Sequence, residues 1–181
     1  MYKIKKVVSL IIVMLLMAVL LIAMEDSSKY ALQAPNGLSF GMIKGYETWH
    51  LVASHYRTDK QEFKFILGNP IVVKAYQNGA GKNNQSFPEG CILVKVAYSI
   101  KTNADFAASI EPNVLNRVEY MVKDSKRFKD TGNWGYARFV YDANSAKFTP
   151  YGKDSTFATE CYSCHIIVAK KDFVFTDYVN R

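Results

Sequence analysis

The sequence predicts an α+β domain in which an antiparallel β-sheet packs against a few helices. Four stretches that are alternating or β-branched follow one another along the chain, and strands of this kind favour a sheet. They cover residues 62–67, 91–100, 114–122 and 134–141. Helix-forming stretches are few and do not alternate regularly with the strands, which is typical of an antiparallel sheet rather than a parallel one.

The first half of the chain begins with a predicted short helix over Gly45 to about Tyr56, which carries Tyr46 and Trp49. Residues 62–67, Glu-Phe-Lys-Phe-Ile-Leu, alternate and predict a strand. Asn69 suits the N-cap of a helix and Pro70 its first position. Asn78-Gly79 then forms a helix-stop signal. One helix is therefore expected between these signals.

The second half contains the other three strands and a late helix. A turn at Pro88-Glu89-Gly90 precedes the strand 91–100, and the strands 114–122 and 134–141 follow. A short helix is expected to begin near Thr156. Phe173-Val174-Phe175 is predicted either to close the sheet as a strand or to pack on a cofactor.

The N-terminus predicts export. Lys3, Lys5 and Lys6 precede 18 uncharged residues, 7–24, which are long enough for a signal peptide or for one membrane span. Residues 25–44 are polar and are expected to form a linker or arm, so that 45–181 form the domain. The net charge of +7 is scattered and partly in the leader, and it does not favour nucleic-acid binding.

A Cys-x-x-Cys-His motif, Cys161-Tyr162-Ser163-Cys164-His165, lies near the C-terminus. Two thiols at this spacing can add to the vinyl groups of a haem, and the adjacent histidine can bind the iron as an axial ligand. A zinc site would need two more Cys or His ligands at short spacing, and Cys91, His50 and His55 are distant. A thioredoxin-like pair would follow a strand near the start of a βαβ unit. The motif therefore predicts one haem c, held covalently near the C-terminus.

Short segments of the chain, taken in order over Tyr46 to Tyr178, resemble the cytochrome P-460 family and the related β-sheet cytochromes c-prime. The segments are Trp49, Lys64–Pro70, Phe87–Gly90 with Val94-Lys95, Val122–Asp124 with Arg127-Phe128, Gly132–Gly135, Glu160–His165 and Lys171–Phe175. Typical small electron-transfer cytochromes c are mostly helical and carry the motif near the N-terminus. This chain differs from them in both respects.

The resemblance implies a periplasmic homodimer, or one on the outer face of the cytoplasmic membrane, with a five-coordinate haem iron. It implies oxidation of hydroxylamine, with nitric oxide, towards nitrous oxide, and an external electron acceptor such as another cytochrome c. The family's lysine that bonds to the porphyrin edge falls on Lys95. Its acidic residue over the open iron face falls on Glu119. Its distal arginine falls on Lys64, where this chain departs from the family.

The alternation of side chains along a strand leaves two possible surroundings for Lys95 and for Glu119, one buried and one solvated. Lys95 shares a strand face with Cys91 and Leu93, and on a buried face an unpaired lysine would be driven neutral and nucleophilic. On a solvated face it would be an ordinary surface lysine. Glu119 is either solvated, like its neighbours on that face, or a general acid/base whose pKa is raised by an apolar pocket.

Two other functions remain open from the sequence. A β-sheet cytochrome c-prime would bind nitric oxide or another small gas without turnover, under an apolar distal cap to which Phe63, Phe65 or Phe87 could contribute. Simple electron transfer would need a sixth protein ligand, for which His50, His55 and Met121 are candidates. Lys95 and Glu119 favour the enzyme over the gas-binding protein, and nothing in the spacing selects one of the candidate sixth ligands.

Overall fold

A single antiparallel sheet of six strands forms the centre of the molecule. The computed structural model describes residues 11–17, 28–82 and 84–179. The strands are β1 His50–Arg57, β2 Glu62–Gly68, β3 Ile92–Thr102, β4 Ile110–Lys123, β5 Trp134–Asp142 and β6 Lys147–Pro150. Each strand pairs with the next one along the chain. The predicted α+β class is confirmed, and all four predicted strands are present.

Two α-helices accompany the sheet, α1 over Pro70–Gln77 and α2 over Phe157–His165. The predicted N-cap is confirmed, since the Asn69 Oδ1 accepts a hydrogen bond from the Val72 N–H at 3.0 Å. Short 3₁₀ turns occur at Lys29–Ala31, Phe40–Ile43, Tyr46–Thr48 and Lys129–Thr131, and a longer one over Ile166–Lys171 follows α2 directly. The late helix thus begins one residue after Thr156, as expected.

Both faces of the sheet are covered. Val94 of β3 and Tyr120 of β4 point to one face, where they pack with the segment before β1. Leu93 and Met121, their neighbours in sequence, point to the opposite face and pack with α1, α2 and the segment after α2. This division follows from the two-residue period of a strand. We call the second side the helix face, and it carries the residues of functional interest.

The prediction of a helix over Gly45 to about Tyr56 was wrong. Only Tyr46–Thr48 form a helical turn, and His50–Arg57 form strand β1. The reason is long-range pairing, because β1 lies antiparallel to β2 with Arg57 opposite Glu62 and His50 opposite Gly68. Partners of this kind override weak local helical preferences.

Residues 28–44, the described part of the segment expected to form a linker or arm, pack against the sheet. Leu38, Phe40 and Ile43 are completely buried against the sheet. Phe40 contacts the rings of Phe139 and Phe148 at centroid distances of 4.8 and 5.0 Å. A few large apolar side chains are enough to anchor a segment of polar composition and irregular backbone.

Two further predictions concern the segments near the ends of the chain. Phe173-Val174-Phe175 form no strand, yet Val174 is buried in the core of the helix face. The predicted leader lies largely outside the described residues, although 11–17 are helical. Among the described residues, no helix is both long enough and apolar enough to cross a bilayer.

Candidate functional site

Helix α2 carries the Cys-x-x-Cys-His motif on the helix face of the sheet. Asp154 begins the turn into the helix by accepting hydrogen bonds from the Thr156 N–H and Oγ1 at 2.9 and 2.6 Å. Phe157 is buried and anchors the first turn. Cys161 and Cys164 lie three positions apart, hence on one side of the helix. Both thiols are free, Cys161 half-buried and Cys164 exposed.

His165 is oriented by a hydrogen bond to the backbone. Its Nδ1 lies 2.6 Å from the carbonyl oxygen of Phe173, which can only accept, so Nδ1 carries the proton. The lone pair is therefore on Nε2, which can bind a metal ion. Burial lowers the pKa of His165, even though the Phe173 carbonyl acts in the other direction. The imidazole is consequently neutral near pH 7, the state that an iron ligand requires.

Three charged residues form a row across the neighbouring strands. Lys95 of β3 is directly opposite Glu119 of β4, which is directly opposite Arg138 of β5. The Lys95 Nζ lies 2.8 Å from Glu119 Oε2, and the Arg138 Nε lies 2.6 Å from Glu119 Oε1. Arg117 Nε adds a third contact to Glu119 Oε2 at 3.3 Å. We call Lys95, Glu119 and Arg138 the charged row.

Glu119 is buried, with 7% of its surface exposed, so it is not part of a solvated face. The predicted rise of its pKa was wrong. Burial alone raises the pKa of Glu119, but the charges of Lys95, Arg138 and Arg117 together lower it to about 2. The sequence argument considered an apolar pocket and left out these cations, which favour the charged form of a carboxylate.

Lys95 is neither an unpaired buried amine nor a free surface lysine. Its side chain is 32% exposed and its ammonium pairs with Glu119. It shares the helix face with Leu93, as alternation predicted. The amine at the end of the side chain therefore lies next to the Glu119 carboxylate, and the side chain remains partly accessible to solvent.

Lys64 lies beside the charged row on β2, and only 5% of its surface is exposed. It is opposite Ala97, two pairs along from the Ile66–Lys95 pair. The nearest acid is Glu62, whose Oε2 is 3.4 Å from the Lys64 Nζ, and Glu62 is already held by Arg117 at 2.5 and 2.7 Å. Burial first, and then the charge of Lys95, lowers the pKa of Lys64 to about 8.

We expect Lys64→Met to stabilise the haem-free chain by roughly 1–3 kcal/mol at pH 7. The folded state binds the proton of Lys64 less tightly than the unfolded state does, because the pKa falls from 10.5 to about 8 on folding. Wild-type stability therefore rises as the pH increases through this window, and the advantage of the variant should shrink there. Urea unfolding from pH 7 to 10.5 measures it, and a constant difference would contradict the burial argument.

Tyr136 links the motif to the charged row. It lies two residues before Arg138 on β5, and its ring is 5.1 Å from that of His165. Its buried Oη, and the Nε1 of Trp134, have no hydrogen-bond partner among the described residues. A buried polar atom without a partner commonly marks a place where a ligand or water belongs. The two thiols of the motif and the neutral imidazole of His165 are the groups that hold a c-type haem. The unpartnered hydroxyl of Tyr136, whose ring contacts His165, agrees with a haem bound there.

Sequence reasoning missed Arg138, Arg117 and the Phe173 carbonyl. Arg138 could have been found, because pairing β4 with β5 through their hairpin places it opposite Glu119. Arg117 is one of the neighbours on the same strand face that favoured a solvated position for Glu119. The role of a backbone carbonyl depends on local geometry and leaves no trace in residue types.

Of the residues considered for the alternative functions, only some lie away from the helix face, and His55 is directly opposite Lys64 on the neighbouring strand. Phe63 and Phe65 alternate with the buried Lys64 and Ile66, so they point away from the helix face. His50 lies 3.2 Å from the Tyr178 hydroxyl and His55 lies 3.4 Å from Thr176 Oγ1. Met121 is packed in the core of the helix face, and so is Phe87.

A known protein family matches the chain. No curated protein matches the chain. The model of the Cytochrome P460 family matches residues 43–176, which is most of the sequence. Members of this family are haem proteins, in agreement with the donor set around α2. The chain belongs to the cytochrome P460 family.

Proposed function

We propose that this protein is an exported c-type haem enzyme that oxidises hydroxylamine, together with nitric oxide, towards nitrous oxide. The observation that carries the proposal is the charged row. A buried carboxylate, Glu119, is held at 2.8 Å from Lys95 on the same face as the Cys-x-x-Cys-His helix. A redox site that removes hydrogen from nitrogen needs a group that accepts protons close to the reacting atoms.

In this proposal three residues of the motif hold the haem. Cys161 and Cys164 form the thioether bonds, and the Nε2 of His165 is the proximal ligand. When bound, the haem supplies an iron that takes electrons from the substrate and passes them to an external acceptor, such as another cytochrome c. Tyr136, whose ring contacts His165, helps to exclude water from the proximal side.

Glu119 receives protons from the substrate. Its carboxyl group is ionised at neutral pH, and one oxygen pairs with Lys95 while the other pairs with Arg138. An N–H or O–H of hydroxylamine could donate a hydrogen bond to either oxygen. With a pKa of about 2 the carboxylate is a weak base. A bond from the Lys95 Nζ to the porphyrin edge would remove the nearest ammonium charge, so the pKa of Glu119 would rise and proton transfer would become easier.

Lys64 provides a second proton site on the same face. Its pKa of about 8 means that it exchanges its proton close to neutral pH, unlike the arginine that the family places there. We propose that Lys64 returns protons from the carboxylate to solvent. The departure from the family thus changes the residue without removing a positively charged donor from the site.

The remaining parts of the proposal concern location and partners. We propose that the haem domain acts in the periplasm or on the outer face of the cytoplasmic membrane, as a homodimer. Residues 7–24 would be its only contact with the membrane if they are retained. The support is the basic start of the sequence, the uncharged stretch that follows it, and the haem motif, since haem is attached to c-type cytochromes outside the cytoplasm.

The proposal is tested by turnover of the purified holo-protein. We expect hydroxylamine to be consumed in the presence of a soluble oxidant, with nitrous oxide formed when nitric oxide is supplied. The same chain with Cys161→Ser and Cys164→Ser, which cannot hold the haem covalently, is the control. A holo-protein that binds hydroxylamine and turns none over with any oxidant would contradict the proposal and favour a gas-binding protein.

A further inference from the structure

A second buried ion pair, between Lys123 and Asp172, involves the last residue of β4, four residues after Glu119. The Nζ of Lys123 on β4 is 2.7 Å from Asp172 Oδ1 and 2.9 Å from Oδ2. Only 6% of Lys123 and 8% of Asp172 is exposed. Removing two charges from water is costly, and a pair of this kind contributes little to stability compared with apolar residues of the same size. Stabilisation alone therefore does not account for the presence of this ion pair.

The two partners are held from several sides. Asp172 Oδ2 also accepts a hydrogen bond from the backbone N–H of Phe87 at 2.8 Å. The Lys123 Nζ lies 5.0 Å from the centre of the Trp134 ring and 3.4 Å from the Gly132 carbonyl oxygen. The carboxylate is thus tied to β4 and to the loop before β3, so that it cannot move without breaking contacts to both.

Asp172 belongs to an unusual turn. Both Asp172 and Phe173 have left-handed backbone, with φ of 52° and 64°, and neither is glycine. Residues in this region persist only where their surroundings hold them there. The Phe173 ring packs directly on Gly132, with no room for a Cβ between them. The side chains of both turn residues are therefore anchored to the sheet side of the molecule.

The carbonyl of this turn is the one that orients His165. Phe173 O lies 2.6 Å from His165 Nδ1, immediately after the residue that Lys123 holds. The partner of the second imidazole nitrogen fixes the orientation of a ligating histidine and raises its basicity. A chain of direct contacts thus runs from Lys123 through Asp172 and the turn to the imidazole.

We propose that Lys123 and Asp172 are positioning residues for the proximal ligand, which set the orientation and basicity of the His165 imidazole through the Phe173 carbonyl. The proposal rests on the proposed role of His165 as the iron ligand. It assigns to the pair a function in the chemistry of the bound haem, in addition to its place in the core.

The test uses two variants with opposite charge changes. Asp172→Asn removes the negative charge and retains a residue that tolerates left-handed backbone, whereas Lys123→Met removes the positive charge. If the pair positions the turn, both variants weaken the hydrogen bond to His165. Both should then lower the iron–histidine stretching frequency in resonance Raman spectra of the ferrous holo-protein, and both should raise the haem reduction potential.

A direct effect of charge on the haem gives a different result. Loss of a negative charge raises the reduction potential and loss of a positive charge lowers it, so the two variants would shift it in opposite directions. Opposite shifts of the potential with an unmoved iron–histidine band would overturn the proposal. Asp177→Asn is the matched control, because it breaks the exposed Lys171–Asp177 pair at 2.8 Å in the same segment. It should leave both readouts unchanged.

Two further measurements keep the test decisive. If either single variant fails to fold, the double variant Lys123→Met with Asp172→Asn leaves no unpaired charge and should show the same lowered band; an unshifted band overturns the proposal.

In the wild type, the Nδ1 proton of His165 should exchange slowly with D₂O in proton NMR spectra, and immediate loss of this signal would overturn the proposal. If no haem attaches at all, the proposed function fails too; if haem attaches and the band is unmoved, only this inference fails.

Discussion

Glu119→Gln is expected to lower hydroxylamine turnover per haem by roughly 10²–10⁴-fold, the usual contribution of a positioned acid or base. Glutamine has nearly the same shape, and its amide cannot accept a proton at neutral pH. The carboxylate is buried and paired with Lys95 and Arg138, and the charged row contains no second acid that could replace it. Steady-state oxidation rates, normalised to haem content, measure the effect.

The control for Glu119→Gln is Glu62→Gln. Glu62 is equally buried on the helix face and is held by Arg117, so its replacement also removes a buried carboxylate from an ion pair. Both variants should lose stability by a few kcal/mol, since breaking a buried ion pair costs about 3–5 kcal/mol. Only Glu119→Gln should lose most of the activity. Equal losses of activity would mean that disruption of the ion pairs, and not proton transfer, is responsible.

Phe40→Ala is expected to destabilise the protein by about 3–5 kcal/mol, a large part of the stability of a typical domain. Phe40 is fully buried and contacts the rings of Tyr30, Tyr46, Phe139 and Phe148. It lies upstream of residue 43, where the match to the family begins. The variant therefore tests whether the segment before β1 is an integral part of the folded domain.

Urea unfolding of the variant, followed by tryptophan fluorescence, measures this loss. Phe106→Ala is the matched control, because Phe106 is 65% exposed in the β3–β4 connection. Its removal should change the free energy of unfolding by no more than about 0.5 kcal/mol. If Phe40→Ala behaves like Phe106→Ala, the segment 28–44 contributes little to the fold and the linker interpretation returns.

The parts of the molecule that could be predicted from sequence are those with local patterns. The alternation of Val118, Tyr120 and Val122 with Glu119 and Met121 divides this part of β4 between the two faces of the sheet. Asn69 and Pro70 gave the start of α1. The Cys-x-x-Cys-His spacing identified the helix on which the site is built.

The parts that could not be predicted in this way depend on partners distant in sequence. β1 became a strand because β2 pairs with it, and residues 28–44 fold because the sheet offers them an apolar surface. The pKa of Glu119 falls because strand register brings Lys95 and Arg138 to both sides of it. None of these effects is visible in a window of neighbouring residues. The lowered pKa of Glu119 could have been predicted from the sequence if the register between neighbouring strands had been assumed.

The intact mass of the denatured holo-protein tests the central claim most directly, namely that Cys161 and Cys164 hold a haem covalently beside Lys95. It is compared with the same chain produced without haem attachment. We expect the mass of the chain plus one haem, less two hydrogens for the bond from Lys95 to the porphyrin, with a red-shifted ferrous absorption band. A haem mass without the loss of hydrogen would refute the Lys95 bond. The mass of the chain alone would contradict the account.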